Sequence, residues 1–284
     1  MNKLIQITCD STCDLPQSVY EEKNIRVIPL TVTLGEKMFQ DGVNVTNEDL
    51  FRYVDTTGNL PKTSAISIYE YDRFFSPFVE DGCEVIHISL SSELSSSYQN
   101  ACIAAQEVGG VHVIDSRSLS TGSAHLVLLA QEMAAAGKDA AEIVEALEQA
   151  KERLDVSFVL QTLDYLYKGG RCSGVAVFGA NLMKLHPEIV VTDGKMDVGK
   201  KYRGNKEKSI LSYVRGRLEG REDIDTKRIF VTNTSMSQEI LDKVVALVKE
   251  LHSFEEVIVT TAGSTITSHC GPDCLGVLFL KKEA

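Results

Sequence analysis

The strongest constraint on this chain is a change of rhythm near residue 155. Before it, short apolar runs alternate with longer segments of helical spacing; after it, the runs crowd together and two of them flank Asp193-Gly194. Strand, helix and strand in succession close as a parallel pair through a right-handed crossover, so the first half predicts a parallel sheet with flanking helices. An Asp-Gly turn joins antiparallel neighbours, so the second half predicts a mixed or antiparallel sheet. The fold class is therefore α/β in two units, residues 1–155 and 156–284. The length, 284 residues, agrees with two domains at roughly 100–200 residues each.

Period-2 patterning predicts strands over 4–8, 25–34, 84–89 and 111–115, with Pro29 marking an edge or a kink in the second. Helical spacing covers 98–108, 118–136 and 140–154, and Ser67-x-x-Glu70 and Asp139-x-x-Glu142 have the form of capping boxes. In the second half, strands are expected over 156–160, 188–192, 196–202, 228–232, 257–261 and 275–281. A short helix over 162–168 should stop at Gly169-Gly170, and one over 238–252 should open at Ser235-x-x-Gln238.

Charge narrows the partners. Forty acidic residues against 29 basic give a formal net charge of −11, the wrong sign for holding nucleic acid or an anionic membrane by bulk attraction. No apolar run approaches the ~18 residues of a spanning helix, and the N-terminus lacks a signal core, so a cytoplasmic protein without permanent membrane attachment is expected. The seven cysteines fit a reduced compartment. Cys9 with Cys13 and Cys270 with Cys274 share a C-x3-C spacing, but no His stands at finger spacing, and unligated thiols are expected in place of a metal site.

Three of the first-half strands end in hydroxyl or acidic residues: Asp10-Ser11-Thr12, Ser89 to Ser92, and Asp115-Ser116. In an open parallel sheet such ends converge on the crevice where ligands bind. Ser89, Ser91, Ser92, Ser95, Ser96 and Ser97 precede a helix, where hydroxyls either cap it or hold a carboxylate or phosphate with its N–H groups. Lys62-Thr63-Ser64 is a polar loop, and Arg171 follows a helix end, fit to cap carbonyls or to reach a phosphate. Residues 200–206 form a basic stretch in an acidic chain, a docking or phosphate-contacting surface or a solvated face. His269 falls in a Gly/Pro turn, poorly placed for core packing. There is no Walker loop, dinucleotide fingerprint, H-E-x-x-H or G-x-S-x-G, which argues against the common nucleotide sites.

Taken together these residues resemble the DegV family, bacterial fatty-acid-binding proteins that serve as the substrate subunit of fatty acid kinase. The resemblance runs over nearly the whole chain. It is carried by Asp10-Ser11 with Asp14-Leu15-Pro16, Thr63-Ser64, Ser91-Ser92-x-Leu94-Ser95-Ser96-Ser97-Tyr98 and Asp115-Ser116. Leu163-x-x-Leu166-x-Lys168-Gly169-Gly170-Arg171, Arg203-Gly204 and His269-x-Gly271-Pro272 continue it. It implies two α/β domains around a long-chain fatty acid, the acyl chain in an apolar tunnel near Leu166, Phe178, Leu182 and Met183. It also implies a carboxylate bound by Thr63 and Ser95 with His269 beside it. Arg171 and Arg203 would face the phosphate or an ATP-dependent kinase subunit. That partner brings ATP, metal and the phosphoryl-transfer machinery, so this chain presents a substrate and needs no cofactor beyond its lipid.

The physics is compatible. About fifteen buried CH2 groups are worth roughly 12 kcal/mol before ordering losses, so the costly part is the carboxylate, which must be hydrogen-bonded once desolvated. Arg171, Arg203 and a protonated His269 would stabilise charge on a transferred phosphate. The chain departs from the family at Ser96, Ser97, Asp273 and Cys274, and at Asn233-Thr234-Ser235, where many members have a His. A negative Asp273 predicts a raised pKa for His269 or a disturbed kinase contact. Two rivals are a self-sufficient serine acyl hydrolase or transferase using Ser95, His269 and Asp115, and a lipid-sensing regulator.

Overall fold

A computed structural model describes residues 4–172 and 185–283. The first half runs β1 (Ile5–Asp10), a 3-10 turn (Ser11–Cys13), α1 (Gln17–Glu22), β2 (Arg26–Ile28), β3 (Thr31–Leu34), β4 (Lys37–Gln40) and α2 (Asn47–Thr57). It continues through β5 (Lys62–Ser64), α3 (Ile68–Glu80), β6 (Glu84–Ser89), α4 (Ser97–Val108), β7 (Val111–Asp115), α5 (Thr121–Ala135) and α6 (Ala140–Ala150). Then follow β8 (Leu154–Val159), α7 (Asp164–Gly169), β9 (Leu185–Thr192), β10 (Lys195–Arg203) and α8 (Lys206–Leu218). The chain closes with β11 (Ile224–Asn233), α9 (Gln238–Leu251), β12 (Glu256–Thr261), α10 (Ser264–Cys270) and β13 (Leu275–Lys281).

The expected α/β architecture is present. Strands β2-β1-β6-β7 form a wholly parallel sheet. The order β10-β9-β8-β13-β11-β12 makes a mixed sheet, parallel only between β11 and β12. Its hairpin turns at Asp193 (φ 48°) and Gly194 (φ 79°), both in the left-handed region that a two-residue turn requires. Both predicted capping boxes form, at Ser67 with Glu70 and Asp139 with Glu142.

Three expectations are corrected. The run over 25–34 is two strands in different sheets: β2 joins the parallel sheet, and past Pro29 the chain enters a separate antiparallel sheet ordered β4-β3-β5. Proline has no N–H for a ladder, so the chain changes sheets there. The helix over 140–154 ends at Ala150, because Lys151–Arg153 tighten to a 3-10 turn and Leu154 already belongs to β8. Finally, Ser235 does not open α9. The N-cap is Ser237, and the Ser235 hydroxyl accepts the Asp273 N–H at 2.9 Å.

Helix α5 joins the two main sheets. It is apolar on nearly every face and buried from Thr121 to Leu128, as befits a helix covered on both sides. Leu126, Val127 and Leu128 share one core cluster with Ile7, Ile86 and Ile114 of the parallel sheet and Phe230 and Leu278 of the mixed sheet. Its buried His125 meets the Leu278 carbonyl through Nε2 at 3.1 Å and packs edge-on against Phe230. Burial lowers the His125 pKa to about 4, which keeps that imidazole neutral in the core.

Candidate functional site

The three predicted strand ends do converge beyond the carboxyl edge of the parallel sheet, at the switch point between β1 and β6. They bond to one another there. Asp10, fully buried at the end of β1, accepts the Leu90 N–H at 2.7 Å, the Thr12 N–H at 3.1 Å and the hydroxyls of Thr12 and Ser89. The carboxylate of Asp115 takes the N–H and the hydroxyl of Ser92 and the N–H of Arg117. Burial raises the Asp10 pKa, and these donors pull it partly back. The crevice that a ligand would fill is closed by the protein's own carboxylate.

A cavity of about 140 Å³ opens one layer outward. Its walls include Leu30, Leu90, Leu94, Leu119, Met196 and Ile266, and its polar end carries Thr63, Ser95, His269 and Arg171. Thr63 is the inward residue of β5, between exposed Lys62 and Ser64. Ser95 lies in the turn that enters α4, where its Oγ accepts the Ser97 N–H at 3.2 Å and meets Ser97 Oγ at 2.9 Å. Ser97 Oγ also accepts the Ile66 N–H at 3.3 Å, and the Asn100 amide donates to the Ile66 carbonyl at 2.7 Å. These bonds stitch the start of α4 to the loop after β5 and so bring Ser95 to Thr63.

His269 was expected in a turn; it stands instead in the last turn of α10. Its Nε2 lies 2.8 Å from Thr63 Oγ1. Its Nδ1 is buried without a partner and faces Gly169, where a Cβ would sit 2.5 Å from it. Only glycine at 169 leaves room for the ring. A bare imidazole nitrogen is cheaper to bury unpaired than an N–H, so the tautomer carries its proton on Nε2 and donates to Thr63. Thr63 then has its own hydroxyl proton to give. Ser95 accepts the Ser97 N–H, and either hydroxyl can donate in its contact with Ser97 Oγ; with Ser97 as donor there, Ser95 too has its own proton to give. Two spare O–H donors thus face an apolar cavity, beside the positive end of α4.

The electrostatics correct two expectations. Burial, with the Arg171 guanidinium second, lowers the His269 pKa to about 4, so the imidazole is neutral at physiological pH and not the protonated group expected. Asp273 does not raise it, because its carboxylate takes the Lys206 ammonium at 2.7 Å. The triad of the hydrolase reading is not assembled either. Asp115 is bound to Ser92 and Arg117, and His269 pairs with Thr63, leaving Ser95 without a base.

The two arginines are placed differently. Arg171 lines the cavity while its Nη1 donates to the Gly169 carbonyl at 2.6 Å, closing the end of α7. Arg203, exposed at the end of β10, is not among the lining residues. Its turn is tied to the one after His269 through Lys206 and Asp273. Of the tunnel residues, Leu166 is buried in the cluster that includes Leu90, Leu94 and Leu119. Phe178, Leu182 and Met183 lie outside the described residues.

A larger hollow of about 720 Å³ opens beside Asp14 and Asp41, with Gln17, Glu21, Asn24 and Arg26 on its wall. Its two buried carboxylates already hold donors on every oxygen, so the smaller cavity has the better chemistry for an anionic head group. Among the described residues the seven cysteines are free thiols, no cluster of three or more His, Cys, Asp or Glu is placed to hold a metal, and no helix is long and apolar enough to cross a membrane.

A family model described as an uncharacterised protein of the DegV family matches residues 4–282. The chain belongs to the DegV family. A DegV domain-containing protein of Caldanaerobacter subterraneus subsp. tengcongensis is 31% identical over 282 residues, 98% of this chain and 99% of the relative. Among solved structures, a fatty-acid-binding DegV protein from Thermus thermophilus superposes with a TM-score of 0.86 at 30% identity, covering 99% of this chain and 100% of that one. A stearic-acid-binding protein from Eubacterium ventriosum gives 0.87 at 26%, covering 98% of both. The α/β architecture is thus that of solved DegV proteins, among them ones described as fatty-acid-binding.

Sequence reasoning missed the supports of this cavity: Ser97 as the acceptor for Ile66, Gly169 as the space for His269, and the helix that carries His269. The sequence marked the first two by position only, inside motifs already noted for their neighbours.

Proposed function

We propose that this protein binds a long-chain fatty acid, with residues 1–155 supplying Thr63 and Ser95 to its carboxylate and residues 156–284 supplying His269 and the arginines. The observation that carries this reading is the pair of spare hydroxyl donors at the end of an apolar cavity, in a fold whose solved relatives bind fatty acids. In this reading Thr63 and Ser95 each give an O–H to one carboxylate, and neutral His269 holds Thr63 in the donating orientation. Among the described residues the cation at the polar end is Arg171, exposed and with its Nη1 committed to the Gly169 carbonyl, so in this reading the carboxylate is held by hydroxyls and stays nucleophilic. The cavity's 140 Å³ is below the roughly 300–1,000 Å³ of ordinary ligand sites, so the described residues account for the head group and the first carbons of the chain.

A nucleophilic carboxylate held near the surface suits transfer to a separate ATP-dependent kinase, which would form the acyl phosphate. Arg171, at the cavity mouth, and Arg203, on the linked turn, are the groups assigned to the phosphate or the partner. The chain itself supplies binding and presentation, in a cytoplasmic setting. Mass spectrometry of an organic extract of the purified protein tests the binding claim: a fatty acid near one equivalent is expected. Protein that neither retains nor rebinds any fatty acid overturns it.

A further inference from the structure

Helix α10 has seven residues and begins without a side-chain cap of its own, since its N-cap is Gly263. Its first N–H groups go to carboxylates from the other end of the sequence. Asp14 Oδ1 accepts the Gly263 N–H at 2.7 Å and Asp41 Oδ1 accepts the Ser264 N–H at 2.7 Å, across 249 and 223 residues. Each carboxylate is anchored through its second oxygen, Asp14 by the Ser120 hydroxyl at 2.5 Å and Asp41 by the Ser11 hydroxyl at 2.8 Å. Asp14 is 5% exposed and Asp41 2%. Nearby, the Asn47 amide holds the Ala262 carbonyl at 2.9 Å and the Thr234 carbonyl at 3.2 Å.

A short helix needing only a cap would take it from a serine or aspartate at its own N-cap. Here a Cβ at 263 would stand 2.9 Å from Asp41 Oδ1 and 3.1 Å from Asp14 Oδ1, so the remote pair excludes the local device. Burying two carboxylates for one short helix is costly, and the return is location. The β1–α1 connection and the loop after β4 belong to the half of the chain that supplies Thr63 and Ser95, while α10 carries Thr265, Ile266, His269 and Cys270 into the cavity wall. We infer that Asp14 and Asp41 are positioning residues of the cavity, fixing the start of α10 and through it the place of His269 against Thr63. This deepens, and rests on, the assignment of that cavity to a fatty-acid carboxylate.

The test reads His269 directly. Ring 15N NMR of the delipidated full chain should show a hydrogen-bonded Nε2–H, and Thr63→Val should show where that resonance goes when the partner is lost. Asp14→Ala and Asp41→Ala should move it toward the Thr63→Val position, and should weaken palmitate binding about tenfold, the loss expected of a hydrogen bond to charge. A carboxylate that served stability alone would lower the melting temperature and leave the resonance of the folded protein in place, which would overturn the inference. Should either alanine variant fail to fold, Gly263→Ala keeps both carboxylates and pushes the helix start off them; an unmoved resonance there is equally fatal. If the wild type binds no palmitate but the resonance moves, the fatty-acid assignment falls and the positioning role stands.

Discussion

Two polar clusters lie at the edge of the same parallel sheet, and they differ in what they leave over. In the crevice between β1 and β6, Asp10 takes two N–H groups and two hydroxyls, and each of its oxygens is engaged. In the cavity outside it, Thr63 pairs with His269 Nε2 and Ser95 accepts the Ser97 N–H, which leaves both hydroxyl protons free when Nε2 and the Ser97 hydroxyl are the donors. The crevice has more serines around it and is the poorer binding site. Density of hydroxyls is therefore a weak guide to a ligand; what counts is whether the donors are spent inside the protein. The crevice is a structural joint, and the cavity is the candidate site.

The comparison breaks most sharply at the two hydroxyls. Replacing Thr63 by Val and Ser95 by Ala together should reduce fatty-acid affinity by about 100-fold, near 10-fold for each hydrogen bond to the carboxylate. Both side chains are half-buried at the cavity wall, and their loss leaves the His269 ring and the Ser97 N–H without their partners, so a stability loss of about 1–3 kcal/mol should accompany the lost affinity. Calorimetric titration of delipidated protein reads the first quantity and a urea melt the second. A variant that binds as the wild type does would mean that the carboxylate sits elsewhere.

Asp10→Ala should cost stability without affinity. It strands the buried Leu90 and Thr12 N–H groups and costs stability, about 2 kcal/mol in a urea melt, while the folded fraction binds lipid with nearly unchanged affinity. The effect is moderated because burial already disfavours the Asp10 charge. If Asp10→Ala abolished binding at full stability, the crevice would be part of the site and the distinction would fail.

Whether a feature was legible in the sequence depended on where its stabilising partners lie. Strand β13 occupies the residues its apolar pattern marks, 275–281, and the Asp193-Gly194 hairpin is a local event. Of the sheet β4-β3-β5 only β3 was legible, inside the run over 25–34, because strands such as Lys62–Ser64 are three residues long and carry no apolar period. Helix α2 did leave a readable sign, Thr46-x-x-Asp49, which forms a complete capping box. Helix α10 left none: its cap ligands are more than 200 residues away, so His269 read as a turn residue. Thr63, Ser95 and His269 were found as members of a family pattern. Their mutual geometry, with His269 neutral, follows only from burial and from which donors are already used.

The pH dependence separates the clusters by sign. His269 has its pKa lowered to about 4 in the fold against 6.5 for a free imidazole. Between those values the unfolded chain binds the proton and the folded one does not, so this group's contribution to stability falls as pH drops from 6.5 to 4, by at most about 1.4 kcal/mol per pH unit. Asp10 has its pKa raised by burial; the folded state takes up its proton first, and its contribution grows as pH falls toward the acid range. His269→Gln should therefore narrow its stability difference from the wild type as pH falls through that window. Ligand retention should stay flat from pH 8 to 5; a break near 6.5 would mean an exposed, titrating His269.

The smallest effect on lipid binding should come from Arg203→Ala. Arg203 is exposed and outside the cavity, and the Lys206–Asp273 pair that ties its turn to the site does not involve it. Truncating it leaves the two hydroxyls and the imidazole untouched, so the fatty-acid dissociation constant should match that of the wild type. If the proposed kinase partner forms an acyl phosphate on the bound lipid, the same variant should slow that reaction, since a cation at the rim acts on an incoming phosphate or on the partner's surface. A dissociation constant raised together with the slower reaction would place Arg203 inside the lipid site and undo the division between binding the carboxylate and presenting it.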